Sequence, residues 1–295
     1  MIMNPVLLKE LKVKMRSWKA VGIIGGYLLI LAAVALFITY ANSSDMYSST
    51  INPQFSIGAY TGIAIIQFIL ILFIAPALTA GAIAGERERQ TLDLILCTKL
   101  APRSIILGKL LASMSHILIL IIASIPMFSI VFLYGGISVT EIAQLFGFYI
   151  VTAIMAGSIG IFFSTYVKRT IAATVLTYAL GIFMCFGTLF IAVFYIRIFY
   201  NYNYQSYFPL FYINPLAGFS SLLTEQFGGQ YGGIMTMIPG LYMVNPYAVK
   251  GTSPWLVNTY VNIGISVVML LLAAIKINPT RRGIFSFLKR KKKVV

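Results

Sequence analysis

Apolar residues in this chain come in runs too long for the core of a water-soluble protein, and the polar positions between them are bunched. A helix needs about 20 apolar residues to cross a hydrocarbon layer of roughly 30 Å. Backbone polar groups find no water there, so each run must satisfy its own hydrogen bonds as a helix. The pattern predicts an all-α polytopic membrane protein, a single transmembrane domain over 1–295. Its six transmembrane helices fall at about 20–40, 56–84, 104–134, 140–166, 170–196 and 255–275.

The segments between the runs have their own patterns. Asn4-Pro5 reads as a helix cap followed by proline at the first helical position. Leu7, Leu11, Met15 and Trp18 recur at helical spacing, with Lys9, Lys12, Arg16 and Lys19 on another face. Residues 1–19 therefore predict an amphipathic interfacial helix, its lysines toward anionic headgroups. No small-residue cleavage site marks them as a signal peptide. Pro76 predicts a kink in the second span, followed by small residues that let helices approach: Ala77, Ala80, Gly81, Ala82, Ala84 and Gly85. In the fourth span, Ala153/Gly157 and Ala156/Gly160 mark a tight helix contact, within the subunit or across a dimer. Ser138 and Glu141 make a capping box at that span's start.

Residues 197–254 are too long for a turn and too aromatic for disorder. Asn214-Pro215 predicts a short amphipathic helix carrying Leu216, Phe219, Leu222, Leu223 and Phe227, ended by the glycine pair at 228–229. This extracellular segment reads as re-entrant or interface-lying helices over the outer face. Residues 276–295 form a basic tail suited to anionic lipid.

Charge orients the chain. It is 59% hydrophobic and 10% charged, with a net charge of +15. Five basic residues precede the first span, four lie between the second and third with Lys109 just inside the third, two (Lys168 and Arg169) lie between the fourth and fifth, and eight follow the last. Of 22, only Arg197 and Lys250 fall elsewhere. The positive-inside rule then places both termini in the cytoplasm of a multi-pass cell-membrane protein. Basic residues so distributed form no face for nucleic acid, and no nucleic-acid partner is expected.

Reactive side chains are few. Cys97 falls in a loop and Cys185 in a span, so they are not placed to pair. His116, the one histidine, has no Cys/His companions for a metal site and reads as a neutral imidazole bonded to a neighbouring helix. Lys109 is expected to snorkel to the headgroups. No phosphate loop, H-E-x-x-H or G-x-S-x-G is present, so no catalytic residue, cofactor site or metal site is predicted. Four of the seven acids (Glu10, Glu86, Glu88, Asp93) are cytoplasmic and none lies mid-membrane, unlike an ion-coupled pump. Gln67, an amide in the middle of a span, and Thr174, Thr177 and Tyr178 of span five are candidates for a polar pathway. Interhelical hydrogen bonding explains them equally well.

The most informative segment is 85–103, a charged cytoplasmic loop wedged between two apolar runs. Glu86, Arg87, Glu88 and Arg89 are followed by Thr91 as N-cap of a short helix over 92–99. Asp93 sits in its first turn, toward the positive end of the helix dipole. Leu92, Leu94, Ile95 and Leu96 leave more apolar surface than a free loop tolerates, and a groove must bury it. Ala101-Pro102 ends this helix and starts the third span.

These residues, with Lys9-Glu10-Leu11 after Asn4-Pro5, the stretch 107–111 and Asn214-Pro215-Leu216, resemble the permease subunits of type-2 ABC exporters. The resemblance covers nearly the whole chain. It implies that the 91–96 helix is a coupling helix docking in a cleft on a separate ATPase subunit, with Glu86 to Arg89 as its charged shoulder. It also implies a second permease subunit, identical or related, outward transport, and ATP with Mg held by the ATPase partner and not by this chain. Two rivals stand beside it: an ATP-independent channel or secondary carrier, and a membrane enzyme or sensor using His116 and Lys109.

Overall fold

The computed structural model describes residues 18–41, 53–97, 101–133, 137–199, 209–227 and 253–277. The predicted N-terminal interfacial helix and the basic tail beyond 277 lie outside these residues, as do 200–208 and 228–252. Every regular element among the described residues is helical. In order they are α1 (Trp18–Ala41), α2 (Pro53–Thr79), α3 (Ala84–Glu88), α4 (Leu92–Leu96), α5 (Pro102–Ala123), α6 (Ile125–Leu133), α7 (Val139–Tyr166), α8 (Thr170–Ile182), a π-helical turn (Phe183–Gly187), α9 (Thr188–Phe199), a 3₁₀ turn (Pro209–Tyr212), α10 (Pro215–Gln226) and α11 (Pro254–Ile277).

Five helical stretches are long and apolar enough to cross a membrane: Ser56–Glu88, Pro102–Ser129, Val139–Tyr166, Thr170–Tyr195 and Pro254–Ile277. A shorter apolar stretch, Gly22–Ile38, lies within α1. The bundle's direction alternates, as its end contacts show. At one end Glu86 meets Lys109 and Lys276 lies over the Tyr166 ring. At the other, Tyr60 donates to Gln226, Gln226 donates to the Glu141 carbonyl, and Ser253 donates to Glu225.

Prolines divide two of the predicted spans. The run at 104–134 breaks at Ser124 into α5 and α6, because Pro126 has no amide to continue the ladder. Pro76 sits inside α2, whose regular part stops at Thr79. The Tyr178 hydroxyl donates to the Phe73 carbonyl at 2.6 Å, a backbone acceptor in the turn that the proline disturbs. The fifth span is continuous but carries the π turn at Phe183–Gly187.

Lipid tails are as apolar as leucine, so helix association here rests on close packing and internal hydrogen bonds. The small residues of α7 serve the first. A Cβ on Gly157 would meet Met114 of α5 and Thr79 of α2, and one on Gly160 would strike the Thr79 side chain beside the Ala80 amide. Gly157 and Gly160 therefore mark a contact within the subunit. α7 also packs along α11, with Met155 and Ile159 against Ile265 and Met269.

α10 is threaded into the bundle, and residues 215–223 are all buried. The Asn214 side chain caps it as predicted, accepting from Leu216 and Ala217 amides. Phe219 stacks on Phe68 at the middle of α2, 4.4 Å between centroids. The helix thus runs from Gln226 beside Tyr60 down to Pro215 near Pro76. A chain of buried amides holds its deep end. Asn262 donates to Asn258, Asn258 to the carbonyls of Phe211, Tyr212 and Asn214, and Asn214 to the Cys185 carbonyl of the π turn and the Thr188 hydroxyl at the start of α9. The Ser138–Glu141 capping box at the start of α7 is present as predicted.

Candidate functional site

The charged segment forms a compact corner. After α2, residues 80–83 turn, and the α3 start is capped by Ser164 of α7, whose hydroxyl oxygen accepts from Ile83 and Ala84 amides at 2.9 Å each. α3 ends in a Schellman arrangement: the Gln90 amide donates to the Arg87 carbonyl and the Thr91 amide to the Glu86 carbonyl. That geometry needs a left-handed residue at the second position past the helix, and Gln90 supplies it with φ 58°. Glycine takes this conformation at least cost; a side chain there is strained.

Three of the four charges in 86–89 are engaged within the chain. Glu86 pairs with Lys109 of α5 at 3.2 Å and also accepts the Thr91 hydroxyl. Lys109 is 3% exposed, so it does not snorkel as expected; a carboxylate lies within reach and costs less than stretching to the headgroups. The Thr91 hydroxyl turns back to Glu86, reaching both its carbonyl and its carboxylate. Arg87 donates to the carbonyls of Thr165 and Val167 at 3.0 and 2.9 Å, satisfying acceptors that the end of α7 leaves open. Glu88 accepts from the amide and hydroxyl of Thr170 at 2.8 and 2.7 Å, at the first turn of α8. The Thr170 hydroxyl, then its amide, with Arg169 nearby, hold the Glu88 carboxyl below its usual range. The residue before α8, Arg169, provides no side-chain cap of its own.

What remains exposed is a small patch. Arg89, Gln90 and Asp93 face outward around Leu94, which is 71% exposed. Leu92 is 8% exposed and belongs to the chain's own core, and Leu96 packs against it. α4 spans five residues and stops at Leu96, not at 99 as the sequence suggested. Ile95 lies within α4. Sequence reasoning missed Ser164, Lys109 and the 165–170 corner. The one available signal was a basic residue in the position before α8, where a capping side chain is expected.

The four pathway candidates separate. Thr177 and Tyr178 line an apolar cavity of about 110 Å³ between α2, α7, the fifth span and Pro215, with Phe73, Pro76 and Cys185 also in its wall. Gln67 is buried elsewhere and donates to Ser124 at 2.9 Å, at the break between α5 and α6. Thr174 donates to the Thr170 carbonyl within its own helix. The structure thus gives Gln67 an interhelical bond. His116 is half-buried on α5, and its Nδ1 has no partner among the described residues. Cys97 is exposed and Cys185 buried, both as free thiols. Among the described residues no group of three His, Cys, Asp or Glu side chains gathers as a metal site would.

A comparison with curated proteins returned no match. The family model described as "ABC-2 family transporter protein" matches residues 4–289, nearly the whole length. With a bundle of apolar spans and one tightly folded charged corner at its end, the chain belongs to the ABC-2 family of transporter membrane proteins.

Proposed function

We propose that this chain is the permease subunit of an ATP-driven exporter, and that α4 is the element a separate ATPase subunit grips. The observation that carries this reading is Leu94. A leucine 71% exposed at the tip of a charged corner, beside Arg89 and Asp93, is placed for a hydrophobic groove with a polar rim. Its surroundings are rigid, because Glu86, Arg87, Glu88 and Leu92 are committed to the chain's own helices. A rigid corner can pass on a push, whereas a free loop would absorb it. ATP and Mg would be held by the partner, and two permease subunits would form the pathway.

Of the apolar residues the sequence offers over 92–96, Leu92 and Leu96 pack within the chain, and the anchoring role falls to Leu94. A buried apolar anchor at an interface centre is worth about 2 kcal/mol or more, some thirtyfold in affinity. Leu94→Asp is therefore expected to lower the yield of complex pulled down with its ATPase subunit by at least tenfold. The permease should still insert normally, because that side chain touches none of its own core. Leu92→Asp should instead destabilise the permease itself. Wild-type complex and wild-type ATP-dependent export in Leu94→Asp would remove α4 as the docking element. Transport by the purified permease without any ATPase would favour the channel or carrier reading.

A further inference from the structure

Arg87 and Glu88 are neighbours in sequence, and they finish two different helices. Arg87 closes the end of α7 through the carbonyls of Thr165 and Val167. Glu88 closes the start of α8 through the amide and hydroxyl of Thr170. Both partners are largely backbone, so the grip holds the helix ends themselves and not flexible side chains. On the other side, only Arg89, the left-handed Gln90 and Thr91 separate α3 from α4, and two backbone hydrogen bonds lock that turn. α4 is therefore joined to the α7–α8 corner without a slack segment.

α8 is also a wall of the apolar cavity. Thr177, Tyr178 and Gly181 line it on one side, and Phe73 and Pro76 of α2 face them. The Tyr178 hydroxyl reaches across this gap to the Phe73 carbonyl. Tilting the start of α8 relative to α2 would change the opening of the cavity.

We infer that Arg87 and Glu88 are positioning residues. They make the 165–170 corner move as one body with α4, so that displacement of α4 alters access to the cavity between α2 and α8. This rests on the reading of α4 as the docking helix. It assigns the two charges to transmission inside the permease, not to the rim of the ATPase contact.

The test uses the full complex of permease and ATPase in lipid nanodiscs. Cys97→Ser leaves Cys185, in the cavity wall, as the chain's one thiol. Its rate of reaction with N-ethylmaleimide is measured without nucleotide and after trapping with ATP and vanadate. The Cys97→Ser parent should change rate at least threefold on trapping. Arg87→Ala and Glu88→Ala should lose that change while keeping complex yield and ATP hydrolysis within about twofold. Thr170→Ser retains both donors to Glu88 and should behave as the parent; Thr170→Val, lacking the hydroxyl, should show a reduced change. A parental response in both alanine variants would overturn the inference. So would loss of complex or hydrolysis together with the response, which would mean a structural role, or an active parent complex with no rate change. Failure of the parent to bind the ATPase would instead strike the docking reading, and complex yield separates the two.

Discussion

At the residue scale, cost is decided by what a side chain can push aside. A Cβ on Gly157 meets mainly the flexible end of Met114, whereas one on Gly160 meets the β-branched Thr79 and a backbone amide. Overpacking of a close-packed interior costs about 1–3 kcal/mol. Gly160→Ala should sit at the upper end of that range and Gly157→Ala at the lower. Gly147→Ala, with nothing within 4 Å, should be neutral or slightly stabilising. Thermal unfolding of the three purified variants in one detergent gives the order, and equal losses for 157 and 160 would refute it. The Glu86–Lys109 pair supplies a second asymmetry. Removing one partner of a buried pair costs up to about 3–5 kcal/mol, because the survivor stays desolvated. Lys109 is 3% exposed and Glu86 28%, so a carboxylate that loses this contact can hydrate better than an ammonium that loses it. Glu86→Leu should therefore lower the melting temperature more than Lys109→Met, and the double variant should recover part of the loss. The opposite order would show that burial is not what sets the cost.

At the element scale, apolar run length made the spans legible, since no other backbone solution survives in lipid. Local chemistry made the caps legible: Ser138 with Glu141, Asn214 with Pro215, and Pro102 at the start of α5 all stand where the sequence put them. Tertiary partners were not legible. Nothing in the window around Lys109 says that a carboxylate 23 residues earlier will reach it, so snorkelling looked the cheaper outcome. Nor does the charge run at 86–89 announce that its members serve the ends of α7 and α8. The amide chain at the deep end of α10 belongs to the same class. Asn258 sits on α11, yet its Nδ2 serves three carbonyl oxygens around the start of α10. Asn258→Asp keeps the shape and points an acceptor at those acceptors, while Asn258→Ala only leaves them unpaired, at about 1–3 kcal/mol. The isosteric aspartate should thus be the more damaging change, read as loss of thermal stability and faster proteolysis between 200 and 253. Alanine being worse would mean that the network contributes packing and not donors.

At the scale of the whole molecule, the alternating bundle and the distribution of charge constrain each other. The end contacts put Glu86, Lys109, Tyr166, Thr170 and Lys276 at one end of the bundle, and Tyr60, Glu141, Gln226 and Ser253 at the other. The first end is where the basic residues of the connecting segments gather, including Arg87, Arg89, Lys168 and Arg169. Charge bias of this kind sets which end faces the cytoplasm. If α1 also crosses, the segment before it lies on the same side as the basic tail. A single cysteine at Ser206, in a chain freed of Cys97 and Cys185, should then react with an impermeant maleimide added to intact cells. One at Ser286 should react only after the cells are opened. The pair is decisive because the two positions flank α11, and a single crossing must separate them. Labelling of both from outside would mean that α11 does not span. Reversed labelling would keep the bundle but invert it, placing Leu94 where no ATP-driven subunit could reach it.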